Sequence, residues 1–246
     1  MSVPGSSLAT RIFWDPLVAA VFPSQCPSCA RLLDAPSCGP LCLACWETLP
    51  RHRPDPCGCG TPLATREGPC GRCRRNLSPF EAGASLGPFE GSLRSALHAL
   101  KYKGHRRAAR LLAAALASEP SVQRLLVDGA VLVPVPLHPL RRRERGFNQA
   151  ELLARELARR ATGVLVAPEV LVRRRDTPSQ TGLTAAQRRR NVRGAFAIRH
   201  RSRVTGQKLI LVDDVLTTGA TVRECARALR SAGAREVQVL TAARAL

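Results

Sequence analysis

Residues 209–221 read LILVDDVLTTGAT, and their pattern predicts the class of the fold. The four apolar residues Leu209 to Val212 predict a strand buried on both faces, as in a parallel sheet covered by helices. Two aspartates follow, and then a loop of small residues that leads into a predicted helix over 220–232, ending before Gly233. This order of strand, small-residue loop and helix is typical of α/β proteins, which bind ligands at the carboxyl ends of strands.

The rest of the chain after residue 76 continues the alternation of strands and helices. The predicted elements outside the central stretch are a strand within 80–90, helices over 92–101 and 107–118, a strand over 131–135, helices over 148–160 and 185–192, and a strand over 237–240. This alternation predicts an α/β domain over 77–246, with a parallel sheet flanked by helices.

The two aspartates and the loop suit a single ligand. We predict that Asp213 and Asp214 leave the strand together, so that both carboxylates accept hydrogen bonds from a vicinal diol such as that of a ribose. Backbone N–H groups and threonine hydroxyls of Thr217–Thr221, at the start of a helix, form a cradle for a phosphate. The Walker pattern GxxxxGK[ST] is absent. Diol and phosphate together indicate a ribose 5-phosphate; the alternative is an acidic turn that only caps a helix.

Nine of the ten cysteines lie between residues 26 and 73, in a segment that we assign to a module over 25–76. A CxxC turn brings two sulfurs to one tetrahedral metal ion. The segment has too few apolar residues to fold without a cross-link such as a bound metal ion. The predicted zinc ligands are Cys26, Cys29, Cys42 and Cys45 for one site, and Cys57, Cys59, Cys70 and Cys73 for a second. A disulfide scaffold is the alternative, but a cytosolic protein keeps such thiols reduced. Cys38 has no evident partner, and Cys225 is assigned to the core.

The charge of the chain indicates a partner that carries phosphate. Lysine and arginine number 38 against 18 acidic residues, which gives a net charge of +20. The excess is dense over 141–193, where Arg141–Arg143 follow a predicted strand and the stretch 173–182 is a candidate lid. The alternative is that these arginines only solvate helix faces, which we expect for Arg155, Arg159 and Arg160. The hydrophobic content of 45% excludes a disordered chain.

The amino-terminal residues 1–24 predict a short docking helix. The apolar run from Leu17 to Phe22 is stopped by Pro23, so it is too short for a membrane span and lacks the layout of a signal peptide. We therefore expect a cytoplasmic protein with no membrane span.

These motifs together resemble one known family. The stretch at 209–221 is similar to the PRPP-binding motif of type I phosphoribosyltransferases. The chain as a whole resembles the ComF family (competence protein F, GntX-like), in which a double zinc ribbon precedes a phosphoribosyltransferase-like domain. The stretches that carry this resemblance are Cys26–Cys73, Lys101–Lys103, Val133–Pro136, Arg145–Gln149 (RGFNQ), Arg173–Gln180, Arg189–Val192 and 209–221. The departure is Cys57-Gly-Cys59, where the family commonly has CxxC.

The resemblance implies a five-stranded core that binds PRPP together with Mg²⁺, with the loop after Pro136 near the pyrophosphate. The implied PRPP-binding residues are Asp213, Asp214, Val215, Thr217, Thr218, Gly219, Ala220, Thr221, Pro136 and Leu137. We assign catalytic roles to Asp213, Asp214 and Arg145. Thr217 stands where enzymes for 6-oxopurines carry an aspartate, which argues against hypoxanthine or guanine as the acceptor.

Three functions stay open at this point. The chain is a phosphoribosyltransferase with an unassigned acceptor, a sensor that binds PRPP or a nucleotide, or an accessory protein that handles single-stranded DNA. The resemblance links the family to DNA uptake in natural transformation, and it implies single-stranded DNA or DNA-uptake proteins as partners. We take the chain to be a phosphoribosyltransferase-like protein of this family.

Overall fold

A five-stranded parallel sheet organises the chain. The computed structural model describes residues 24–34, 39–52, 57, 59, 69–75, 80–102, 104–178 and 182–245. The predicted amino-terminal helix and Cys38 lie outside the described residues. Within the described ranges, no helix is both long and apolar enough to cross a membrane.

The strands and helices follow the alternation that the sequence predicts. The strands are β1 Ala82–Pro88, β2 Val131–Pro134, β3 Leu165–Val166, β4 Leu171–Arg173, β5 Phe196–Ile198, β6 Lys208–Leu216 and β7 Glu236–Arg244. The helices are α1 Leu43–Glu47, α2 Gly71–Arg74, α3 Gly91–Tyr102, α4 Arg107–Ala117, α5 Pro120–Gln123, α6 Pro139–Arg145, α7 Gln149–Ala158, α8 Ala185–Val192 and α9 Ala220–Ser231. The parallel sheet has the order β1-β7-β6-β2-β3, and β4 and β5 form a separate antiparallel pair. The predicted fold class is confirmed.

The central strand β6 is buried on both faces. Its residues Leu209 to Val212 are fully buried, and successive side chains point to opposite sides of the sheet. Ile210 and Val212 join the core formed with α3, α4 and α7, whereas Leu209 and Leu211 join the core formed with α9. This double burial is the reason that the strand is a continuous apolar run.

Strand β6 is longer than its apolar run. It continues through Asp213 and Asp214 to Leu216, because β7 continues beside it and pairs Val215 with Ala243. The expectation that the two aspartates leave the strand together is therefore wrong. They lie within the strand, and alternation directs their side chains to opposite faces of the sheet.

The helix α6 was not predicted, since it has no buried residues and so no hydrophobic periodicity. It begins with Pro139, whose fixed φ suits a first helical position, and it ends at Arg145, followed by Gly146 with φ of 74°. Arg141–Arg143, which were predicted to follow the strand β2, lie on this helix.

The cysteine-rich segment packs directly on the sheet edge. A Cβ atom on Gly87 would lie 1.9 Å from the Pro50 carbonyl oxygen, so only glycine allows this approach. The His52 N–H donates to the Leu86 carbonyl at 3.0 Å. This segment thereby covers β1, an edge strand whose backbone groups would otherwise be unpaired.

Candidate functional site

A cavity of about 420 Å³ opens where β1, β2 and β6 end. Its lining residues are Phe89, Arg94, Leu97, His98, Lys101, Tyr102, Val135, Pro136, Leu137, Gln149, Arg173, Gly182, Arg188, Asp213, Asp214, Val215, Thr217 and Thr221. The two aspartates, the loop after β6 and the predicted loop at Pro136 and Leu137 thus lie around one cavity. Its place at the carboxyl ends of parallel strands is where the sequence predicts a ligand.

The loop between β6 and α9 has the form of an anion site. Gly219 has φ of 73°, which turns the chain into α9 at Ala220. Among the described residues, no side chain caps the first turn of α9. The hydroxyl of Thr218 is buried without a hydrogen-bond partner in the described part of the chain. The uncapped helix start and this hydroxyl offer donors to a phosphate.

The two adjacent carboxylates have different surroundings. Asp214 is buried, and its Oδ2 lies 2.7 Å from the Lys101 Nζ on α3. The Oδ1 atom of Asp213 accepts a hydrogen bond from the Asp214 N–H at 2.9 Å, and the Oδ1 atom of Asp214 accepts one from the Val215 N–H at 2.7 Å. Lys101 is a site residue that the sequence did not predict, because only packing brings α3 to β6.

Burial and like charge perturb these groups. Burial raises the pKa of Asp213 to about 8, and the neighbouring charge of Asp214 raises it as well, against the opposing effect of Lys101. Burial alone would lower the pKa of Lys101, but Asp214 and Asp213 attract the ammonium and hold its pKa above the ordinary value. Among the described residues, the Lys101 ammonium is the direct ionic partner of this pair of carboxylates.

We predict opposite stability changes for the two aspartates. The folded protein keeps a proton on Asp213 up to about pH 8, whereas the unfolded chain releases it near 3.8, so this group lowers the free energy of unfolding as pH rises between these values. At pH 9, Asp213→Asn should raise that free energy by more than about 1 kcal/mol, with a smaller gain towards pH 4. Asp214→Asn should lower it by at least about 1 kcal/mol, because the Lys101 ammonium loses its partner. Denaturant unfolding without ligand checks both, and shifts of the same sign would contradict the prediction.

The RGFNQ motif shapes the wall of the cavity. Asn148 caps α7 by accepting the Ala150 N–H at 3.0 Å, and its Nδ2 donates to the Val135 carbonyl at 3.0 Å. Because Val135 precedes Pro136 and Leu137, this contact fixes the start of the loop between β2 and α6. The motif therefore has a structural role that the sequence did not reveal.

Arg145 lies outside the lining of the cavity. Its guanidinium donates to the Gln149 Oε1 at 2.8 Å and lies over the Tyr102 ring, with its Cζ 5.5 Å from the centroid. Gln149 and Tyr102 themselves line the cavity, so Arg145 borders the site behind them. The cationic lining residues are instead Lys101, Arg94, Arg173 on β4 and Arg188 on α8.

The cysteines form two clusters of four. In each cluster the sulfur atoms all lie within 4.8 Å of one another, and the clusters are Cys26, Cys29, Cys42 and Cys45, and Cys57, Cys59, Cys70 and Cys73. The Cys29–Cys42 sulfurs are 3.6 Å apart and the Cys57–Cys73 sulfurs are 3.5 Å apart. A tetrahedral zinc ion with bonds of about 2.3 Å separates its sulfurs by about 3.8 Å, whereas a disulfide needs about 2.05 Å. The geometry thus fits two structural zinc sites, including the one with the CxC turn.

The ionisation of the first cluster also suits a cation. Burial would raise the pKa of Cys26, but backbone hydrogen bonds from Cys42, Ser28 and Cys29 lower it to about 6. Burial and the neighbouring thiols raise the pKa of Cys45 to about 12. Four adjacent thiolates repel one another unless a metal neutralises them. Cys225, by contrast, is fully buried in α9, as predicted.

Comparisons with known proteins match most of the chain. A family model of the phosphoribosyl transferase domain matches residues 144–245. The DNA utilization protein YhgH of Salmonella typhimurium is 35% identical over 228 residues, 91% of this chain and 98% of that protein. Competence protein F of Haemophilus influenzae is 32% identical over 195 residues, 77% of this chain and 84% of that protein. A solved glutamine PRPP amidotransferase of B. subtilis, complexed with ADP and GMP, has a TM-score of 0.34 and 26% identity over 54% of this chain and 25% of that chain.

Proposed function

The chain belongs to the ComF family of competence protein F and DNA utilization protein YhgH, and from this premise we propose that it binds PRPP with Mg²⁺ and transfers the phosphoribosyl group. One observation carries the proposal. Asp213 and Asp214 border the same cavity as an uncapped helix start with the buried, unpartnered Thr218 hydroxyl beside it. A ribose 5-phosphate has the diol and the phosphate that these two groups fit.

The residues of the cavity have distinct roles in this proposal. The loop Thr217–Thr221 and the start of α9 hold the 5-phosphate, and the two carboxylates orient the ribose hydroxyls. The loop at Pro136 and Leu137 and the guanidinium of Arg173 border the leaving pyrophosphate. The bond from C1′ to the pyrophosphate oxygen breaks, and a bond from C1′ to the acceptor forms.

The cavity also suits a divalent cation. Carboxylate oxygens are the ligands that Mg²⁺ prefers, and Asp213 and Asp214 would hold it. When bound, Mg²⁺ supplies positive charge that neutralises the pyrophosphate. The Lys101 ammonium lies beside Asp214, so the chain itself supplies one cation next to these carboxylates.

Calorimetry of the full chain with PRPP tests the proposal. We expect binding that requires Mg²⁺, with ribose 5-phosphate and pyrophosphate each binding more weakly than PRPP. Mass-spectrometric detection of pyrophosphate release, with a panel of bases and DNA ends as acceptors, then separates a transferase from a sensor. No PRPP binding with Mg²⁺ present would end the proposal.

Contact with single-stranded DNA is a second candidate function. Several of the basic residues are neutralised by acidic residues of α7, since Arg155 pairs with Glu151, and Arg159 and Arg160 pair with Glu156. Others have no acidic partner within the described part of the chain, namely Arg143 on α6 and Arg189 and Arg190 on α8. These unpaired charges and the names of the relatives favour a polyanion partner.

We predict that DNA binding depends steeply on salt. Neutralising about four phosphates of a single strand gives a log–log slope near −3, at about −0.7 for each contact. Replacing Arg143, Arg189 and Arg190 with glutamine should flatten this slope, whereas replacing the ion-paired Arg159 and Arg160 should not. Fluorescence anisotropy of a labelled oligonucleotide at several salt concentrations measures both. A dissociation constant above about 100 μM at low salt would exclude direct contact.

A further inference from the structure

The cavity has a second end that the proposed PRPP site does not use. Helix α3 begins just after β1, and its Lys101 reaches Asp214 on β6, so α3 crosses the sheet edge from β1 to β6. Two strand spacings separate β1 from β6, which is about 10 Å. Phe89 and Arg94 lie at the β1 side of this span, and the two carboxylates lie at the β6 side.

This end of the cavity offers flat apolar surfaces. Phe89, His98 and Tyr102 all line the cavity, from the β1 side to the end of α3 beside Lys101, and the His98 and Tyr102 rings are 4.6 Å apart between centroids. The Tyr102 side chain is exposed although it is aromatic, with 64% of its surface accessible. Exposed rings beside a cavity are suited to stacking against a planar heterocycle.

The charge at this end is entirely positive. Helix α3 carries no acidic residue, and the acidic residues of the whole lining are Asp213 and Asp214, one of which binds Lys101. The Arg94 guanidinium lies 6.0 Å from the Phe89 centroid and has no acidic partner within the described part of the chain. A guanidinium beside an aromatic ring binds a carboxylate or phosphate attached to a stacked ring.

The β1 end of the cavity borders a second cavity on the far side of Arg94. Arg94 and His98 line a neighbouring cavity of about 450 Å³ that reaches Pro27 and Ser28, in the turn of the first cysteine cluster. The Ser95 hydroxyl donates to the Pro27 carbonyl at 3.3 Å and holds this turn against α3. A heterocycle bound here has room for a substituent that extends towards the cysteine cluster.

We propose that Phe89, Arg94, His98 and Tyr102 form the acceptor subsite and that it selects a planar heterocycle carrying an anionic group. This inference rests on the proposed phosphoribosyl transfer, because the heterocycle would receive the ribosyl group at the carboxylate end of the cavity. The anionic group is a carboxylate on the ring or a phosphate on an attached sugar, since both satisfy the same guanidinium.

Calorimetry with matched ligands tests the subsite. The probes are orotate against uracil, nicotinate against nicotinamide, and uridine 5′-monophosphate against uridine, each titrated into the full chain with and without PRPP and Mg²⁺. We expect the anionic member to bind at least about tenfold more tightly, and the pair with the larger ratio identifies the carboxylate or the phosphate as the anion. Equal affinities within every pair would overturn the inference. The PRPP titration in the same series judges the proposed function separately, because the pairs are also compared without PRPP.

Substitutions in the subsite test which residue causes the preference for the anionic ligand. Arg94→Met should reduce the preference for the anion to about twofold or less, since methionine keeps the apolar stem and removes the charge. Tyr102→Ala should weaken both members of a pair alike, because it removes a stacking surface and no charge. Arg124→Met, which changes an exposed arginine after α5, is the matched control and should leave the preference unchanged. A preference that survives Arg94→Met would overturn the assignment.

Discussion

Replacing Asp213 and Asp214 together with asparagine is expected to weaken the binding of PRPP with Mg²⁺ by at least about 2 kcal/mol, roughly 30-fold in the dissociation constant. The reason is that hydrogen bonds to an ionised carboxylate are stronger than those to an amide, and that a bound Mg²⁺ favours the ionised form of both aspartates, which line one cavity. Asparagine has nearly the shape of aspartate, so the loss of PRPP affinity measures the effect of removing the carboxylate charge. Calorimetry of both proteins measures it.

Two further proteins keep this result interpretable. Asp213→Asn alone leaves the Lys101–Asp214 ion pair in place, so it should fold and still bind more weakly than the native protein. Asp128→Asn changes an exposed carboxylate just before β2, at the edge of the sheet away from the cavity, and should bind PRPP normally. Native affinity in the double variant would show that the ribose is held elsewhere.

Replacing Cys29 with serine is expected to remove one of two zinc ions per chain and to lower the free energy of unfolding by at least about 2 kcal/mol. Cys29 is itself exposed, so the substitution acts through the metal and not through packing. The effect should spread to the sheet, because Leu33 and Leu41 pack in the same core as Leu97 and Leu112. Elemental analysis and thermal unfolding of the purified chain measure the two effects.

A cysteine outside both clusters provides the control. Cys225→Ala removes a buried thiol of α9 and should leave the zinc content unchanged. The second cluster should keep its metal in the Cys29 variant, because its sulfurs lie in the other core. Native protein without metal, whose amino-terminal segment nevertheless resists protease, would refute the zinc sites.

Local patterns were sufficient for most of the secondary structure. Helix α8 has the predicted bounds of 185–192, and the apolar run of β6 was predicted as a buried strand. Such elements can be predicted from the sequence because their buried apolar residues recur with the period that the backbone geometry of a helix or strand sets. The exposed helix α6 carries no such repeat and was missed.

The candidate site was predicted only in part for the same reason. The loop 217–221, the two aspartates and the loop at Pro136 follow strand ends, so their convergence on one sheet edge follows from the topology of parallel strands. The end of the cavity formed by Phe89 and α3 follows no strand-end pattern, although Tyr102 belongs to the stretch Lys101–Lys103 that carries the family resemblance. The sequence of α3 predicts an ordinary amphipathic helix, and only the packing of this helix on the sheet shows that it lines the cavity.

The parallel α/β class, the eight clustered cysteines and the position of the loop 217–221 could be predicted from the sequence, because each depends on residues close together in the chain. The tertiary structure alone decided that Asp213 and Asp214 face opposite sides, since the length of β6 is set by pairing with β7. Only the tertiary structure places the Lys101 ammonium beside the Asp214 carboxylate and the Arg145 guanidinium over the Tyr102 ring. These contacts join residues of separate elements, and the packing of whole helices on the sheet, not any local pattern, sets the distance between them.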